Sequence, residues 1–265
     1  PVFFFFRTYI MKQFLTLNDL QNFYAQVALA KEIKANPYQY EELGKRKTLG
    51  LLFFNPSLRT RLSTQKAGRL LGMDVMVMNF SNEAWAIEYE DKTIMEGLRS
   101  EHVKEAAQVV SQYCDVVGIR AFATLTDKEK DESEQVLQKF IQYASVPILN
   151  MESATAHPLQ ALADALTLTE LSLPKKPKVV LTWAPHPKAL PHAVGNSFAR
   201  MMEHQDADFV IANPEGYDLD PRITKDIPVV HNQAEALKGA DVVYAKNWSS
   251  YDSYGQILRT DNEWM

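Results

Sequence analysis

TLGLLFFNPSLRTRLS, residues 48–63, is the stretch that decides the fold. Its first part, TLGLLFF (48–54), has the length and apolar composition of a buried strand. A helical pattern over 58–72 follows almost at once and closes at Gly72, as helices commonly do. A strand that leads directly into a helix predicts the repeating unit of a parallel α/β sheet.

The same alternation of short apolar runs and helical patterns continues on both sides of this stretch. Before residue 158 it predicts further strands at 74–80, 115–120 and 146–150, and helices at 17–35, 100–113 and 133–144. A helix over 158–171 then leads to LSLPKKPK (171–178), whose prolines and lysines break the pattern. Beyond this junction, strands are predicted at 179–184, 208–213 and 241–246, and helices at 190–204 and 233–238.

These patterns predict an α/β protein with two parallel-sheet domains joined by a helix and separated by a cleft. We place the domains at residues 11–157 and 158–265. Residues 1–10 contain the apolar run VFFFF (2–6), which is far too short to span a membrane. We therefore predict that residues 1–10 are a non-native or disordered extension and that the protein has no membrane partner.

Composition narrows the class of protein. The chain has 265 residues, of which 46% are hydrophobic and 23% charged, as in soluble globular proteins. The formal charge of −5 argues against a nucleic-acid partner, which requires a basic surface. The single cysteine, Cys114, excludes an internal disulfide and favours a cytoplasmic location.

The turn NPSLRTRLS (55–63) has the features of an anion site. Helix N-termini present unpaired N–H groups and a partial positive charge, so they bind phosphate readily. Arg59 adds a bidentate donor, and Ser57 and Thr60 add hydroxyl groups. An ordinary helix start, capped by Ser57 and with its arginines in solvent, is an alternative that these residues leave open.

Three other polar groups fall at the ends of later predicted strands. Arg120 ends one strand, His157 and Gln160 of HPLQ (157–160) follow another, and WAPHPK (183–188) ends the first strand of the second half. Ligands of open α/β sheets bind outside the carboxyl ends of the strands, so these groups could converge on one oxyanion. The alternative for His157 is a histidine that only caps a helix.

Two motifs make a family resemblance specific. SLRTR (57–61) and HPLQ (157–160), with GIRAF (118–122) between them, resemble the motifs of the aspartate/ornithine carbamoyltransferase family. The resemblance implies that the phosphate of carbamoyl phosphate is bound by Ser57, the main chain of Leu58, Arg59 and Thr60. It also implies that Arg120 and His157 reach the carbonyl oxygen and Gln160 the carbamoyl amide. The role of Arg61 stays open between a structural ion pair and a ligand contact.

The implied reaction requires neither a metal nor a redox cofactor. An amine attacks the carbamoyl carbon, and the tetrahedral oxyanion collapses and expels phosphate. The enzyme holds the two reactants in line and stabilises the developing negative charge.

The acceptor is indicated by YAKNWSSYDSYGQ (244–256). Lys246 stands where ornithine carbamoyltransferases carry an aspartate that binds the free α-ammonium, and a lysine repels that group. The stretch therefore resembles the N-acylornithine carbamoyltransferases, which act in arginine biosynthesis. By this resemblance, the acylornithine is bound by Glu152, His186, Asn196 and Lys246.

Two further residues are assigned through the same subgroup. Trp85 is expected to reach the carbamoyl phosphate site of a neighbouring subunit in a homotrimer, with a half-buried surface tryptophan as the alternative. In the loop before EH (101–102), glutamate accompanies acetyl substrates and proline accompanies succinyl substrates. This chain has Ser100, which matches neither but lacks the carboxylate that would repel a succinyl group. We therefore favour N-succinylornithine over N-acetylornithine.

The family also has a late His-Cys-Leu-Pro motif and a final helix, and neither occurs in these 265 residues. We therefore predict that the second domain is incomplete at its C-terminus, and we leave open whether the chain itself is active. Two alternatives stay open: an ornithine carbamoyltransferase with a substituted acceptor site, and a non-catalytic carbamoyltransferase-like binding protein.

Overall fold

Short strands and helices alternate along nearly the whole chain. The computed structural model describes residues 12–80, 86–95, 99–258 and 264. Within these ranges the strands are, in chain order, β1 (Gln13–Phe14), β2 (Thr48–Phe53), β3 (Asp74–Asn79), β4 (Ala86–Glu88), β5 (Arg99–His102), β6 (Val116–Arg120), β7 (Ile148–Glu152), β8 (Lys178–Trp183), β9 (Asp208–Ala212), β10 (Val229–Val230) and β11 (Val242–Lys246).

The helices of the same ranges fill the connections between these strands. They are α1 (Phe23–Ala35), α2 (Arg59–Leu70), α3 (Val103–Tyr113), α4 (Lys128–Glu132), α5 (Gln135–Tyr143), α6 (Pro158–Glu170), α7 (Ala193–Met202), α8 (Pro221–Thr224) and α9 (Gln233–Leu237). Short 3₁₀ helices also occur at Leu17–Asp19 and Glu41–Leu43. None of the helices in the described ranges has both the length and the apolar character that crossing a bilayer requires.

Two parallel sheets organise the molecule. The first has five strands in the order β1–β7–β6–β2–β3, and the second has four in the order β10–β9–β8–β11. All of their strand pairs are parallel. The predicted α/β class and the two parallel sheets are therefore confirmed. A small parallel pair, β4 with β5, lies outside both sheets and has no counterpart among the predicted strands.

Helix α6 links the two sheets, since it follows β7 of the first and precedes β8 of the second. Its buried residues Ala161 and Ala165 belong to a hydrophobic core that also contains residues of β8, α7 and β9. Helix α1 contributes Phe23 and Val27 to this same core. Helix α1, which precedes most of the first sheet in the chain, therefore packs against the core of the second sheet. The domain limits at 11–157 and 158–265 stay a prediction.

Several element boundaries differ from those predicted. The helix expected over 133–144 begins at Gln135, because Glu134 has a left-handed backbone conformation with φ of 53°. Strand β7 runs on to Glu152 rather than ending at residue 150. This extension carries the Glu152 side chain to the carboxyl end of the first sheet, where the functional groups collect.

Candidate functional site

The register of the first sheet brings three strand ends side by side. Phe53, the last residue of β2, pairs with Arg120 of β6, and Arg120 pairs with Glu152 of β7 after a register shift. In the second sheet, Lys246 at the end of β11 pairs with Trp183 at the end of β8. The strand ends that the sequence singled out are thus adjacent within each sheet, as parallel pairing requires.

The turn after β2 leaves a helix N-terminus uncapped. Leu58 precedes the first residue of α2, Arg59, and no side chain caps this helix. Capping by Ser57, the alternative that the sequence left open, is therefore not found. Leu58 is 70% exposed, and Arg59 and Ser57 are also accessible to solvent. The first-turn N–H groups of α2 can therefore donate hydrogen bonds to an anion from solvent.

Arg61 has a structural role in the fold. Its guanidinium donates a hydrogen bond to Asn79 Oδ1 at the end of β3, and it lies 5.2 Å from the ring centre of Phe53. These contacts hold Arg61 between two strand ends. Among the described residues, its partners are an amide and an aromatic ring.

Arg120 connects the anion turn to Glu152. Its Nη1 donates to the carbonyl oxygen of Pro56 at 2.9 Å, and its Nε and Nη2 each lie 3.2 Å from Glu152 Oε2. Its guanidinium also stacks over the ring of Phe122, at 3.8 Å from the ring centre. The buried guanidinium is therefore held beside the turn that leads into α2.

Glu152 is a buried carboxylate surrounded by cations from both sheets. Burial raises the pKa of the Glu152 carboxyl, and the charges of Arg120, Lys246 and Arg59 oppose that shift. Burial likewise lowers the pKa of Lys246; Glu152 opposes this shift, and Arg59 adds to it. These charges act on one another, so Lys246 of the second sheet and Arg59 of α2 both lie within electrostatic range of Glu152.

His157 lies beside this group of charges. Its Nε2 lies 3.6 Å from Glu152 Oε2, and its main-chain N–H donates to Ser197 Oγ of α7 at 2.7 Å. Burial lowers the pKa of His157 to about 4, and the nearby charges of Arg120 and Lys246 act in the same direction. At neutral pH the imidazole is therefore uncharged, and it offers a neutral N–H donor rather than a positive charge.

Gln160 lies one turn into α6 and is held by a second buried acid. Its Nε2 donates to Asp164 Oδ1 at 2.8 Å, and burial raises the pKa of the Asp164 carboxyl. This bond uses one of the two N–H donors of the amide, and the amide oxygen of Gln160 can accept a hydrogen bond from a ligand.

The other two residues predicted to bind the acylornithine, His186 and Asn196, make hydrogen bonds with main-chain groups. His186 is exposed in the loop after β8, where its Nδ1 lies 3.1 Å from the N–H of Lys188. Asn196 in α7 is buried, and its Nδ2 donates to the carbonyl oxygen of Thr155 at 3.2 Å. Asn196 lines a cavity of about 240 Å³ whose walls include none of Glu152, His157 and Lys246.

Of the two residues assigned through the subgroup, only one is described. Trp85 lies outside the described residues. Ser100 is exposed in β5 and lines a surface cavity of about 680 Å³ formed by residues of 91–105 and by Tyr143. None of the charged groups around Glu152 lines this cavity.

Sequence reasoning missed the groups that hold the site in place. The carbonyl groups of Asn55 and Pro56, which accept from Arg120, leave no signal in residue type. Phe122 falls within the quoted GIRAF, but its stacking under Arg120 depends on the fold. The contacts of Glu134 also depend on the fold: its carboxylate binds the loop that joins Glu152 to His157.

Comparison with known proteins agrees with this geometry. Residues 12–170 match the family model for the aspartate/ornithine carbamoyltransferase carbamoyl-P binding domain. The chain is 49% identical over 256 residues to N-succinylornithine carbamoyltransferase of Bacteroides thetaiotaomicron, covering 96% of this chain and 80% of that protein. It is 38% identical over 265 residues to N-acetylornithine carbamoyltransferase of Xanthomonas campestris, covering 92% and 76%.

A solved structure shares the fold as well as the sequence. It is a variant of N-acetyl-L-ornithine transcarbamylase in which serine replaces one glutamate, complexed with carbamyl phosphate and N-succinyl-L-norvaline. It superimposes with a TM-score of 0.86 at 37% identity and covers 92% of this chain and 78% of that one. From the matched model, the identities and the shared fold, the chain belongs to the aspartate/ornithine carbamoyltransferase family of enzymes.

Proposed function

We propose that the protein transfers the carbamoyl group of carbamoyl phosphate to the δ-amine of N-succinylornithine, a step of arginine biosynthesis. The products are N-succinylcitrulline and phosphate. The observation that carries the proposal is the set of cations that act on Glu152: Arg59 at the start of α2, Arg120 at the end of β6 in the first sheet, and Lys246 at the end of β11 in the second. This arrangement gives one wall to an anionic donor and the facing wall to an acceptor that bears a carboxylate.

The residues of the first sheet take the donor. The phosphate binds at the uncapped N-terminus of α2, held by Ser57, the main chain of Leu58, Arg59 and Thr60. Arg120 and the neutral imidazole of His157 stabilise the carbonyl oxygen as it gains charge. The amide oxygen of Gln160 accepts from the carbamoyl NH₂ group.

The chemistry is a nucleophilic acyl substitution that this donor arrangement supports. The δ-amine nitrogen forms a bond to the carbamoyl carbon, the bond from that carbon to the phosphate oxygen breaks, and the proton lost by the amine passes to the leaving phosphate, which departs as the hydrogen phosphate dianion. Arg59 and the helix N-terminus stabilise the leaving phosphate dianion. The chain's own groups act by orientation and by electrostatic stabilisation of charge.

Lys246 accounts for the choice of a blocked acceptor. Its ammonium attracts the carboxylate of the acylornithine and repels a free α-ammonium, so the unblocked substrate is disfavoured by like charge. Glu152, which lies between the two walls, is placed to receive the amine end of the acceptor. His186 and Asn196 remain proposed acceptor residues on the strength of the family resemblance.

The succinyl group is favoured by Ser100 and by the comparisons. A serine there adds no negative charge against the second carboxylate of a succinyl group. In the related transcarbamylase, a variant with serine in place of one glutamate holds N-succinyl-L-norvaline. The N-succinylornithine enzyme of Bacteroides thetaiotaomicron is also more similar to this chain than the N-acetylornithine enzyme of Xanthomonas campestris.

A cytoplasmic homotrimer is part of the proposal. The family resemblance supports a role for Trp85 in the site of a neighbouring subunit, and the cavity at Ser100 is lined by none of the charged groups around Glu152. The single cysteine, Cys114, fits the reducing conditions of the cytoplasm.

The acceptor assignment is tested by the products formed from carbamoyl phosphate with three amines. We expect carbamoylation of N-succinylornithine, slower carbamoylation of N-acetylornithine, and none of free ornithine, measured by mass spectrometry. Lys246→Asp should lose most of the activity on the succinylated substrate because a carboxylate then faces a carboxylate. Lys238→Asp, which changes an exposed lysine of the same half of the chain, is the matched control and should keep it.

Other outcomes point to the alternatives. Citrulline formed from ornithine as fast as the acylated product would identify an ornithine carbamoyltransferase and remove the role of Lys246. Binding of carbamoyl phosphate in calorimetry, with no product from any of the three amines, would indicate a non-catalytic binding protein.

A further inference from the structure

The loop between Glu152 and His157 is bound to one buried carboxylate. Glu134 Oε1 accepts from Ser153 Oγ at 2.8 Å, from the N–H of Thr155 at 2.8 Å and from Thr155 Oγ1 at 2.5 Å. Glu134 Oε2 accepts from the N–H of Ala154 at 3.3 Å. Three consecutive loop residues are therefore tied to a single side chain.

Other hydrogen bonds also act on this loop: Asn196 Nδ2 donates to the carbonyl oxygen of Thr155 at 3.2 Å, and the N–H of Ser153 donates to the carbonyl oxygen of Ala156 at 2.9 Å. The loop sequence, SATA (153–156), consists of small side chains with few atoms to pack. Asn150 adds hydrogen bonds from its Nδ2 to Ser153 Oγ at 3.0 Å and to the carbonyl oxygen of Ala156 at 3.4 Å. Polar contacts with buried groups therefore determine where the loop lies, and with it the two functional residues that flank it.

Glu134 holds an unusual backbone conformation while making these contacts. Its φ of 53° and ψ of 37° lie in the left-handed region, which residues other than glycine and asparagine rarely adopt. The conformation separates α4 from α5 and turns the carboxylate inward. Burial raises the pKa of the Glu134 carboxyl, and the hydrogen bonds from Ser153, Ala154 and Thr155 oppose that shift. The left-handed backbone and the buried carboxylate both cost stability, so selection for stability alone would not favour them.

A second carboxylate of the same segment binds the neighbouring loop. Asp131 accepts from the N–H of Thr124 at 2.9 Å and from the N–H of Leu125 at 2.8 Å. These residues follow Arg120 in the chain. The segment 131–134 therefore contacts the loop after β6 and the loop after β7, which carry the groups assigned to the carbonyl oxygen.

We propose that Glu134 is a positioning residue, which fixes the loop 153–156 so that Glu152 and His157 face the reactants. The proposal rests on the function proposed above. Glu134 does not touch the reacting atoms; it acts through the loop. Its loss should lower kcat more than it changes the KM for carbamoyl phosphate. The reason is that no hydrogen bond among the described residues joins the proposed phosphate-binding residues 57–60 to this loop.

Three substitutions separate positioning from stability. Glu134→Ala removes all four hydrogen bonds and keeps the strained backbone. Glu134→Gly removes the same bonds but relieves the strain, because glycine adopts positive φ readily. Glu134→Gln keeps the length of the side chain and one acceptor oxygen. Glu129→Ala, which removes an exposed carboxylate of α4, is the matched control.

Each variant is measured in three ways: steady-state kinetics, the melting temperature, and the titration of His157 by NMR. For Ala and Gly alike, we expect kcat to fall by about tenfold or more, the size of effect that a small misplacement of catalytic groups produces. The melting temperature should be higher for Gly than for Ala. The Gln variant should recover much of kcat, and Glu129→Ala should match the unmodified protein.

The titration gives a readout that does not depend on turnover. In the unmodified protein, Arg120, Lys246 and Glu152 surround His157, and its pKa is about 4. When the loop loosens in the Ala and Gly variants, the imidazole gains water and its pKa should move up toward its ordinary value. Unchanged kcat and an unchanged His157 titration in both variants would overturn the proposal.

A fall in kcat that follows the melting temperature, so that Gly restores what Ala loses, would also overturn it, since a structural role alone gives that pattern. If the unmodified protein carbamoylates none of the amines, the proposed function fails. The His157 titration would then still show whether Glu134 positions the loop.

Discussion

At the scale of single residues, chemistry is easier to predict than contact. Residue type and position predicted Arg59 as a phosphate ligand, and the structure leaves its helix N-terminus uncapped. Arg61, two positions on, has the same side chain but binds Asn79 and stacks on Phe53. The difference between the two arginines lies in which neighbour the fold brings near, and one sequence does not contain that information.

The role of Arg59 gives a prediction about donor binding. Arg59→Ala should weaken binding of carbamoyl phosphate by about 1.5–3 kcal/mol, the range for hydrogen bonds to charged groups. Isothermal titration with carbamoyl phosphate measures the change. Arg69→Ala removes an exposed arginine from the last turn of the same helix, so it should leave the affinity unchanged. Equal affinities in all three proteins would show that Arg59 does not bind the phosphate at this turn.

The depressed pKa of His157 gives a prediction about pH and stability. Its pKa is about 4 in the folded protein and about 6.5 when unfolded, so the unfolded state binds more protons between these values. The free energy of unfolding should therefore fall as the pH drops through this window, by about 2 kcal/mol from this group between pH 7.5 and pH 5.

Urea denaturation at the two pH values tests this, with His157→Gln as the comparison. The variant should lose that part of the pH dependence while keeping the part due to other groups. Identical pH dependence in both proteins would mean that His157 titrates normally in the folded state.

At the scale of elements, hydrophobic periodicity predicted the strands of both sheets and most helices, because buried strands and amphipathic helices leave periodic patterns. It could not predict the two-residue strands β1 and β10, which are too short to form a pattern. The break at Glu134 was also missed, because the charged run DKEKDESE (127–134) is typical of a solvated helix face. In the structure, Asp131 within that run is buried instead.

The contact between β2 and the end of α3 gives a prediction about packing. A Cβ atom added at Gly50 would lie 2.6 Å from Cys114 Sγ, well inside van der Waals contact. Gly50→Ala should therefore destabilise the protein by about 1–3 kcal/mol, measured by denaturant unfolding. The penalty should shrink in a Cys114→Ala background, which removes the sulfur. Strictly additive effects of the two substitutions would show that Cys114 is not the obstacle.

At the scale of the whole molecule, contacts between the sequence halves were beyond prediction. Arg222 lies 2.7 Å from Glu132, and Lys128 Nζ donates to the carbonyl oxygen of Tyr251 at 3.1 Å. Such pairs join residues about 90 or more positions apart, and any of many exposed charges could have formed them. The sequence therefore predicted two sheets and a cleft, but not how the halves are held together.

The proposed homotrimer with shared sites gives a prediction at this scale. Trp85→Ala and Arg59→Ala subunits should each be inactive alone and should regain activity when dissociated and reassembled together. In mixed trimers, some sites combine an intact Arg59 with an intact Trp85 from the neighbour. Native mass spectrometry establishes that hybrids have formed.

A second mixture is the control for this experiment. Arg59 and Lys246 belong to one subunit's site, so mixing Arg59→Ala with Lys246→Asp should restore nothing. Hybrid trimers that stay inactive in the first mixture would place Trp85 in its own subunit's site or outside any site.

The division of the two walls between separate sheets bears on how such a protein changes its substrate over generations. The groups assigned to the donor precede or begin α6, whereas Lys246 ends a strand of the other sheet. Mutations around Lys246 can therefore alter the group that faces the acceptor's carboxylate while the donor groups are inherited unchanged, whereas changes at Ser100 or Glu152 act from the donor half. Recombination within the codons of α6 would join the donor groups of one ancestor to the Lys246 strand of another in a single step.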